Sequence, residues 1–105
     1  MQTITLDSPG SFSISQTEIP IRSSGSALVR IYRVGICGTD LHAFRGRQPF
    51  LSYPRILGHE LGVQIMEIDE NDHDLHVGDI CAIEPYLNCG KCISCRRGKT
   101  NCCTT

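Results

Sequence analysis

The stretch CGKCISCRRGKTNCC, residues 89–103, constrains the fold most, because five of its fifteen residues are cysteine. The spacing is Cys89-x2-Cys92-x2-Cys95-x7-Cys103. Thiolates two residues apart can turn onto one ion, and four of them complete the tetrahedral shell of a structural Zn²⁺ site. The sequence therefore predicts a zinc-binding cysteine loop at 89–103.

The fourth ligand of this loop has two candidates, because Cys102 directly precedes Cys103. Adjacent side chains rarely both point at one metal, so one of the two is expected outside the site. Two alternatives to zinc are free thiols in a surface loop and an iron–sulfur cluster, whose bacterial signature has its fourth cysteine after three residues and then proline. A closed four-thiolate site leaves no open coordination position, so we expect this loop to be structural and any catalysis to lie elsewhere.

Length, charge and the N-terminus narrow the class of protein. The 105 residues suit one domain. A net charge of −1 argues against a nucleic-acid partner, which normally requires a basic surface. The first sixteen residues carry no basic or apolar region typical of a signal peptide, and no apolar run approaches a membrane span. We therefore expect a cytoplasmic protein without a membrane partner, in which an odd number of cysteines favours metal over disulfides.

Short alternating segments predict a mainly β fold. A helical turn through His42 and Phe44 is expected after 27–36, begun by the polar residues at 38–40. Many short strands and frequent turns indicate a small β barrel or sandwich, with Cys81 in its core. The expected strands are 2–6, 12–16, 27–36, 61–68 and 80–84.

A second, sparser set of metal ligands lies in GICGTDLH (35–42) and LGHE (57–60). Cys37, His59 and Glu60 are a soft, a borderline and a hard ligand, and catalytic zinc accepts three such ligands while keeping one position open. Each residue also has a structural explanation: a small buried cysteine, a loop histidine and a solvated carboxylate. The spacing alone leaves both interpretations open.

These three motifs together resemble those of the zinc-containing medium-chain dehydrogenase/reductase family, which includes alcohol, sorbitol and threonine dehydrogenases. The motifs occur in the family's order and at its distances, from about residue 22 to 103. The resemblance implies a mainly β, GroES-like, partly open β barrel with short helical turns. Residues 1–105 would form the N-terminal part of the catalytic domain, and PRILGHE is most similar to the polyol and sugar-alcohol branch.

The resemblance also implies which residues bind metal. Cys37 and His59 would be catalytic zinc ligands, and Glu60 a near or alternate ligand. In the cysteine loop, the resemblance assigns Cys103 rather than Cys102 as the fourth ligand of the structural zinc. The implied structural ligands are Cys89, Cys92, Cys95 and Cys103.

Three further residues receive catalytic roles from the resemblance. Thr39 would pass on the proton of the alcohol, and His42 would continue that relay toward solvent. Asp40 would orient the imidazole of His59 without itself binding the metal. Zinc would lower the pKa of a bound alcohol so that hydride can leave for NAD or NADP.

The nucleotide-binding half of such an enzyme is absent from the sequence, which has no G-x-G-x-x-G after a strand. The resemblance places this Rossmann domain, and a third catalytic zinc ligand, downstream. We therefore expect the chain alone to fill the cysteine loop with zinc, to hold the second metal weakly and to lack dehydrogenase activity. The parent would be a homo-oligomer acting on a small alcohol or polyol.

Gly62 and Asp69 depart from the family's glycine pattern.

Two other function classes compete with this hypothesis. One is a non-catalytic, zinc-binding GroES-like module for protein association, which would have no use for the whole set of residues implied for the second site. The other is a zinc-ribbon nucleic-acid binder, which the net charge of −1 disfavours.

Overall fold

The computed structural model describes residues 1–104 as a mainly β chain with short helices. The five predicted strands are confirmed, with boundaries that differ by a few residues. The strands are β1 (Gln2–Ser8), β2 (Ser11–Gln16), β3 (Leu28–Gly35), β4 (Glu60–Glu67) and β5 (Ile80–Ala82). The helices are α1 (Gly38–Phe44), α2 (Ile93–Arg96) and a 3-10 helix (Thr100–Cys102).

The strands form two separate antiparallel sheets. β1 and β2 make a hairpin whose turn has Gly10 at φ 78°, where glycine avoids the steric cost of a side chain. The second sheet has the order β3-β4-β5. An isolated bridge between Leu6 and Arg55 joins the hairpin to the segment that precedes β4. The predicted mainly β, partly open architecture is confirmed, and the two sheets do not close into a barrel within residues 1–104.

The buried core of the described residues is small. Its hydrophobic members are Leu6 of β1, Ala43 of α1, and Val63 and Ile65 of β4. Cys81, expected in the core, is only half-buried, because β5 is a three-residue edge strand that pairs with β4 alone. All six residues of β2 are exposed. Little apolar surface therefore holds the sheets together, and local hydrogen bonds carry much of the positioning.

Contacts from the hairpin and the following loop hold α1 in place. The ring of Phe12 stacks on that of Phe44, with centroids 5.5 Å apart. The backbone N–H of Gly10 donates to the carbonyl of Phe44 at 2.8 Å, and the Tyr53 hydroxyl donates to the carbonyl of Ala43. These contacts fix the C-terminal end of α1. The other end of the helix begins at Cys37, which lies beside His59, the residue before β4.

An ion pair fastens the connection between β2 and β3 to the end of β4. The Arg22 guanidinium donates to both carboxylate oxygens of Asp69, at 2.7 and 2.5 Å. The backbone N–H of Gly25 donates to the same carboxylate at 3.1 Å. The Asp69 carboxylate therefore joins two parts of the chain that are more than forty residues apart in sequence. Within the described residues, no helix is long and apolar enough to cross a bilayer.

Candidate metal centres

Two neighbouring strand ends bring the first set of ligands together. β3 ends at Gly35, which pairs directly with Glu60 at the start of β4. Cys37 therefore follows one strand and His59 precedes the other at the same end of the sheet. Their Sγ and Nε2 atoms lie 3.3 Å apart, although 22 residues separate them in sequence.

The N-terminus of α1 positions the sulfur. Cys37 is the N-cap residue: its Sγ accepts the backbone N–H of Thr39 at 3.3 Å, and its own N–H donates to the Asp40 carboxylate at 2.9 Å. The sequence prediction put the start of the helix among the polar residues at 38–40 and missed this cap. Cysteine is not among the usual N-cap residues, so sequence preference gave no signal for it.

Asp40 also reaches the imidazole. Its Oδ1 lies 3.6 Å from Nδ1 of His59, while its Oδ2 accepts the N–H of Cys37. The Asp40 side chain is 12% exposed against 39% for His59, so water competes little for the carboxylate. One carboxylate thus contacts both the backbone of the cysteine and the far side of the histidine ring, which leaves Nε2 directed at the sulfur.

The donor atoms of Cys37, Asp40 and His59 all lie within 4.8 Å of one another. In a tetrahedral zinc site, a sulfur at about 2.3 Å and a nitrogen at about 2.0 Å from the metal stand roughly 3.5 Å apart. The observed separation of 3.3 Å between sulfur and nitrogen fits that arrangement. A thiolate, an imidazole and a nearby carboxylate are also ligand types that zinc accepts.

The other residues named for this centre lie around it. Glu60 is exposed, falls outside the group of converging donors, and rests its side chain against Gly35. Thr39 is exposed beside Cys37 and contacts the sulfur through its backbone. His42 is exposed in the last turn of α1. The structure thus groups Cys37, Asp40 and His59 and leaves the other three at the periphery.

The cysteine loop forms a second group of donors. Cys102 is exposed and lies outside this group, which includes its neighbour Cys103. All four donor sulfurs lie within 4.8 Å of one another, and all four residues are half-buried. Four convergent sulfurs fit a closed tetrahedral Zn²⁺ site. Its members are Cys89, Cys92, Cys95 and Cys103.

Short helices and backbone hydrogen bonds shape this loop. α2 begins after Cys92 and carries Cys95, and the 3-10 helix ends just before Cys103. Backbone N–H groups donate to the sulfurs: that of Cys92 to Cys89, and that of Cys89 to Cys103, both at 3.3 Å. Neither helix was predicted, because elements of three or four residues show no hydrophobic periodicity.

The thiols of Cys92 and Cys95 differ in acidity, although their sulfurs lie 3.5 Å apart. Backbone hydrogen bonds from Cys95 and Thr104 lower the pKa of Cys92 to about 6. Burial, and then the hydrogen bond with Cys92, raises the pKa of Cys95 to about 12. The thiolate is the form of cysteine that binds metal, and these hydrogen bonds favour it at Cys92.

The chain is similar to known proteins over most of its length. Residues 23–105 match the family model described as the alcohol dehydrogenase GroES-like domain. The chain is 46% identical over 103 residues to L-galactonate-5-dehydrogenase of Escherichia coli (strain K12), covering 98% of this chain and 30% of that protein.

Solved structures give the same result. An alcohol dehydrogenase from Escherichia coli CFT073, complexed with NADH, superposes with a TM-score of 0.86 at 40% identity, covering 100% of this chain and 30% of that one. A zinc-binding dehydrogenase from Sinorhizobium meliloti 1021, bound to NADP, gives 0.85 at 32% identity, with 99% and 30% covered. The chain spans about 30% of the length of the relatives it matches. It belongs to the alcohol dehydrogenase GroES-like domain family.

Proposed function

We propose that this chain is the N-terminal part of the catalytic domain of a zinc-dependent alcohol or polyol dehydrogenase that transfers hydride to NAD or NADP. The observation that carries the proposal is the approach of Cys37 Sγ to His59 Nε2, at 3.3 Å, with Asp40 behind the ring. A scaffold without catalysis would not need a sulfur, an imidazole and a shielded carboxylate at one strand end.

In this proposal, Cys37 and His59 hold the catalytic zinc, and Asp40 fixes the orientation of His59. When bound, the zinc supplies a Lewis acid that lowers the pKa of an alcohol. The Thr39 hydroxyl would accept the proton of the alcohol while its own proton passes to His42, three residues further on in α1, and from there to solvent.

The four-cysteine group is proposed as the structural zinc site. Its ligands come from a loop whose short helices bury little surface, so metal binding would supply much of the free energy that keeps the loop folded. Cys102 takes no part in it.

Substrate and cofactor are proposed from the relatives. A dehydrogenase relative named for L-galactonate favours a polyhydroxylated substrate, and related structures hold NADH or NADP. The parent protein is proposed to be a cytoplasmic homo-oligomer whose nucleotide-binding half lies outside residues 1–105.

Metal analysis and turnover assays test the proposal. The purified chain should retain about one zinc per molecule and show no NAD- or NADP-dependent oxidation of alcohols or polyols. A longer protein that contains this chain and a nucleotide-binding half should oxidise one of them, and C37S should abolish that oxidation. Suppose instead that a longer protein binds both metals, oxidises none of the alcohols and binds another protein. That result would favour the non-catalytic association module.

A further inference from the structure

Gly35 and Glu60 pack unusually closely where β3 and β4 end. They are direct partners in the antiparallel register. Opposite Cβ atoms in such a pair normally lie about 4.5–5.5 Å apart. A Cβ built on Gly35 would lie 2.8 Å from the Cβ of Glu60 and only 2.4 Å from its Oε2. The Glu60 side chain therefore fills the space that a side chain at position 35 would need.

This crowding is local to one pair of residues. Gly62 of β4 pairs with Arg33 of β3, in the same strand pair. A Cβ built on Gly62 would make an ordinary 3.5 Å contact with the Cβ of Arg33. Gly35 is also not among the glycines with positive φ, so its backbone conformation is open to other residues. Space for Glu60, rather than backbone freedom, is the requirement at position 35.

The position of the Glu60 side chain matters because the residue directly follows His59. Its carboxylate is a hard zinc ligand, yet it lies outside the group formed by Cys37, Asp40 and His59. We propose that Gly35 is a positioning residue for Glu60. Because Gly35 has no side chain, the Glu60 carboxylate can lie against β3, and in that position it does not bind the metal. This inference rests on the proposed function of the centre as a metal site.

Cobalt titration of the whole 105-residue chain tests the inference. One equivalent of Zn²⁺ first fills the cysteine loop, and Co²⁺ alone is then the probe. The part of the visible absorption that C37S removes reports this centre. G35A should displace the carboxylate and make it available as an added oxygen ligand. We expect cobalt binding about tenfold tighter, the scale on which outer groups tune metal sites, with weaker d–d absorption from the higher coordination number.

Two variants separate this effect from general damage to the sheet. G62A, which adds the same methyl group to the same strand pair, should leave cobalt binding as in the parent. In the E60G background, G35A should no longer alter the affinity, because no carboxylate remains to be displaced. The ¹³C shift of the Glu60 carboxyl in the metal-free chain should change in G35A and not in G62A. If G35A does not fold, G35A/E60G should, since it removes the conflict.

The outcomes that overturn the inference are distinct from those that overturn the metal centre. Cobalt bound through Cys37 in the parent, with no response to G35A, overturns the role of Gly35 and leaves the centre intact. Equal weakening by G35A with and without Glu60, or a G35A/E60G chain that stays unfolded, also overturns that role. Absence of Cys37-dependent cobalt from every variant overturns the metal centre and this inference with it.

Discussion

The Sγ of Cys37 and the Nε2 of His59 lie 3.3 Å apart, and the carboxylate of Asp40 contacts the chain on both sides of that pair. The contact depends on one strand pairing and one helix cap. Both devices lie within the described residues of the chain. The following predictions test this arrangement and its surroundings.

Substitutions at Asp40 should separate its two contacts. D40A removes the acceptor for the Cys37 N–H and should lower the free energy of unfolding by about 0.5–2 kcal/mol, as for other caps. D40N keeps one oxygen for the cap but loses the carboxylate facing His59. Both variants should weaken cobalt binding about 10–100-fold. Thermal unfolding and cobalt titration measure the two effects, and a D40N chain with parental cobalt affinity would contradict the assignment.

Adjacent cysteines should respond differently at the end of the cysteine loop. C103S removes one of four converging sulfurs and should cost the chain its tightly held zinc and lower its melting temperature. C102S is the matched control, because Cys102 is exposed and lies outside the group. Zinc content by mass spectrometry and thermal denaturation give the readout. Loss of zinc in C102S with retention in C103S would reverse the ligand assignment.

The rate at which the cysteines of the metal-free chain are alkylated should depend on pH. The pKa of Cys92 is lowered to about 6 from 9.0, so its thiolate reacts with iodoacetamide above pH 6. Its contribution to stability is present above the unfolded value of 9.0 and is lost as pH falls through 6. Cys95, with its pKa raised to about 12, should react more slowly than Cys92. Peptide mapping after timed labelling at pH 7 tests this order, and equal rates would refute it.

The ion pair between Arg22 and Asp69 should stabilise the fold in a pH-dependent way. The hydrogen bond from Arg22, followed by that from Gly25, lowers the pKa of Asp69 below 3.8. The stabilisation is therefore present above that value and is lost as pH falls through the lower, folded-state pKa. D69N should lower the melting temperature at pH 7, and the difference from the parent should shrink as pH falls toward the folded-state pKa of Asp69. D72N, in an exposed carboxylate of the same loop, is the control; an equal loss there would indicate a general charge effect.

Apolar residues two positions apart helped to predict β1, β2 and β4, and β-branched residues helped to predict β3, even where neither face is deeply buried. β4 is the clearest case, with Val63 and Ile65 buried two residues apart. The extent of closure could not be predicted, since it depends on whether β2 finds a partner. Within residues 1–104, β2 pairs with β1 alone and remains exposed.

The two candidate metal centres could also be predicted only in part from the sequence. Spacing suggested the four-cysteine group, whereas the choice of Cys103 over Cys102 came from family resemblance. Cys37 and His59 were matched by resemblance, since their approach depends on strand register rather than on sequence distance. The close packing of Gly35 against Glu60 has no signature in sequence, because it depends on the local separation of two paired strands.

The register that pairs Gly35 with Glu60 has a consequence for biosynthesis. Both donors of the first centre flank a single antiparallel strand pair, and the chain that forms that pair ends at Glu67. A nascent chain released as far as Glu67 already contains every residue of this strand pair and both donors. The two donors of the first centre and the strand pair that brings them together are therefore encoded within the first 67 residues of the chain.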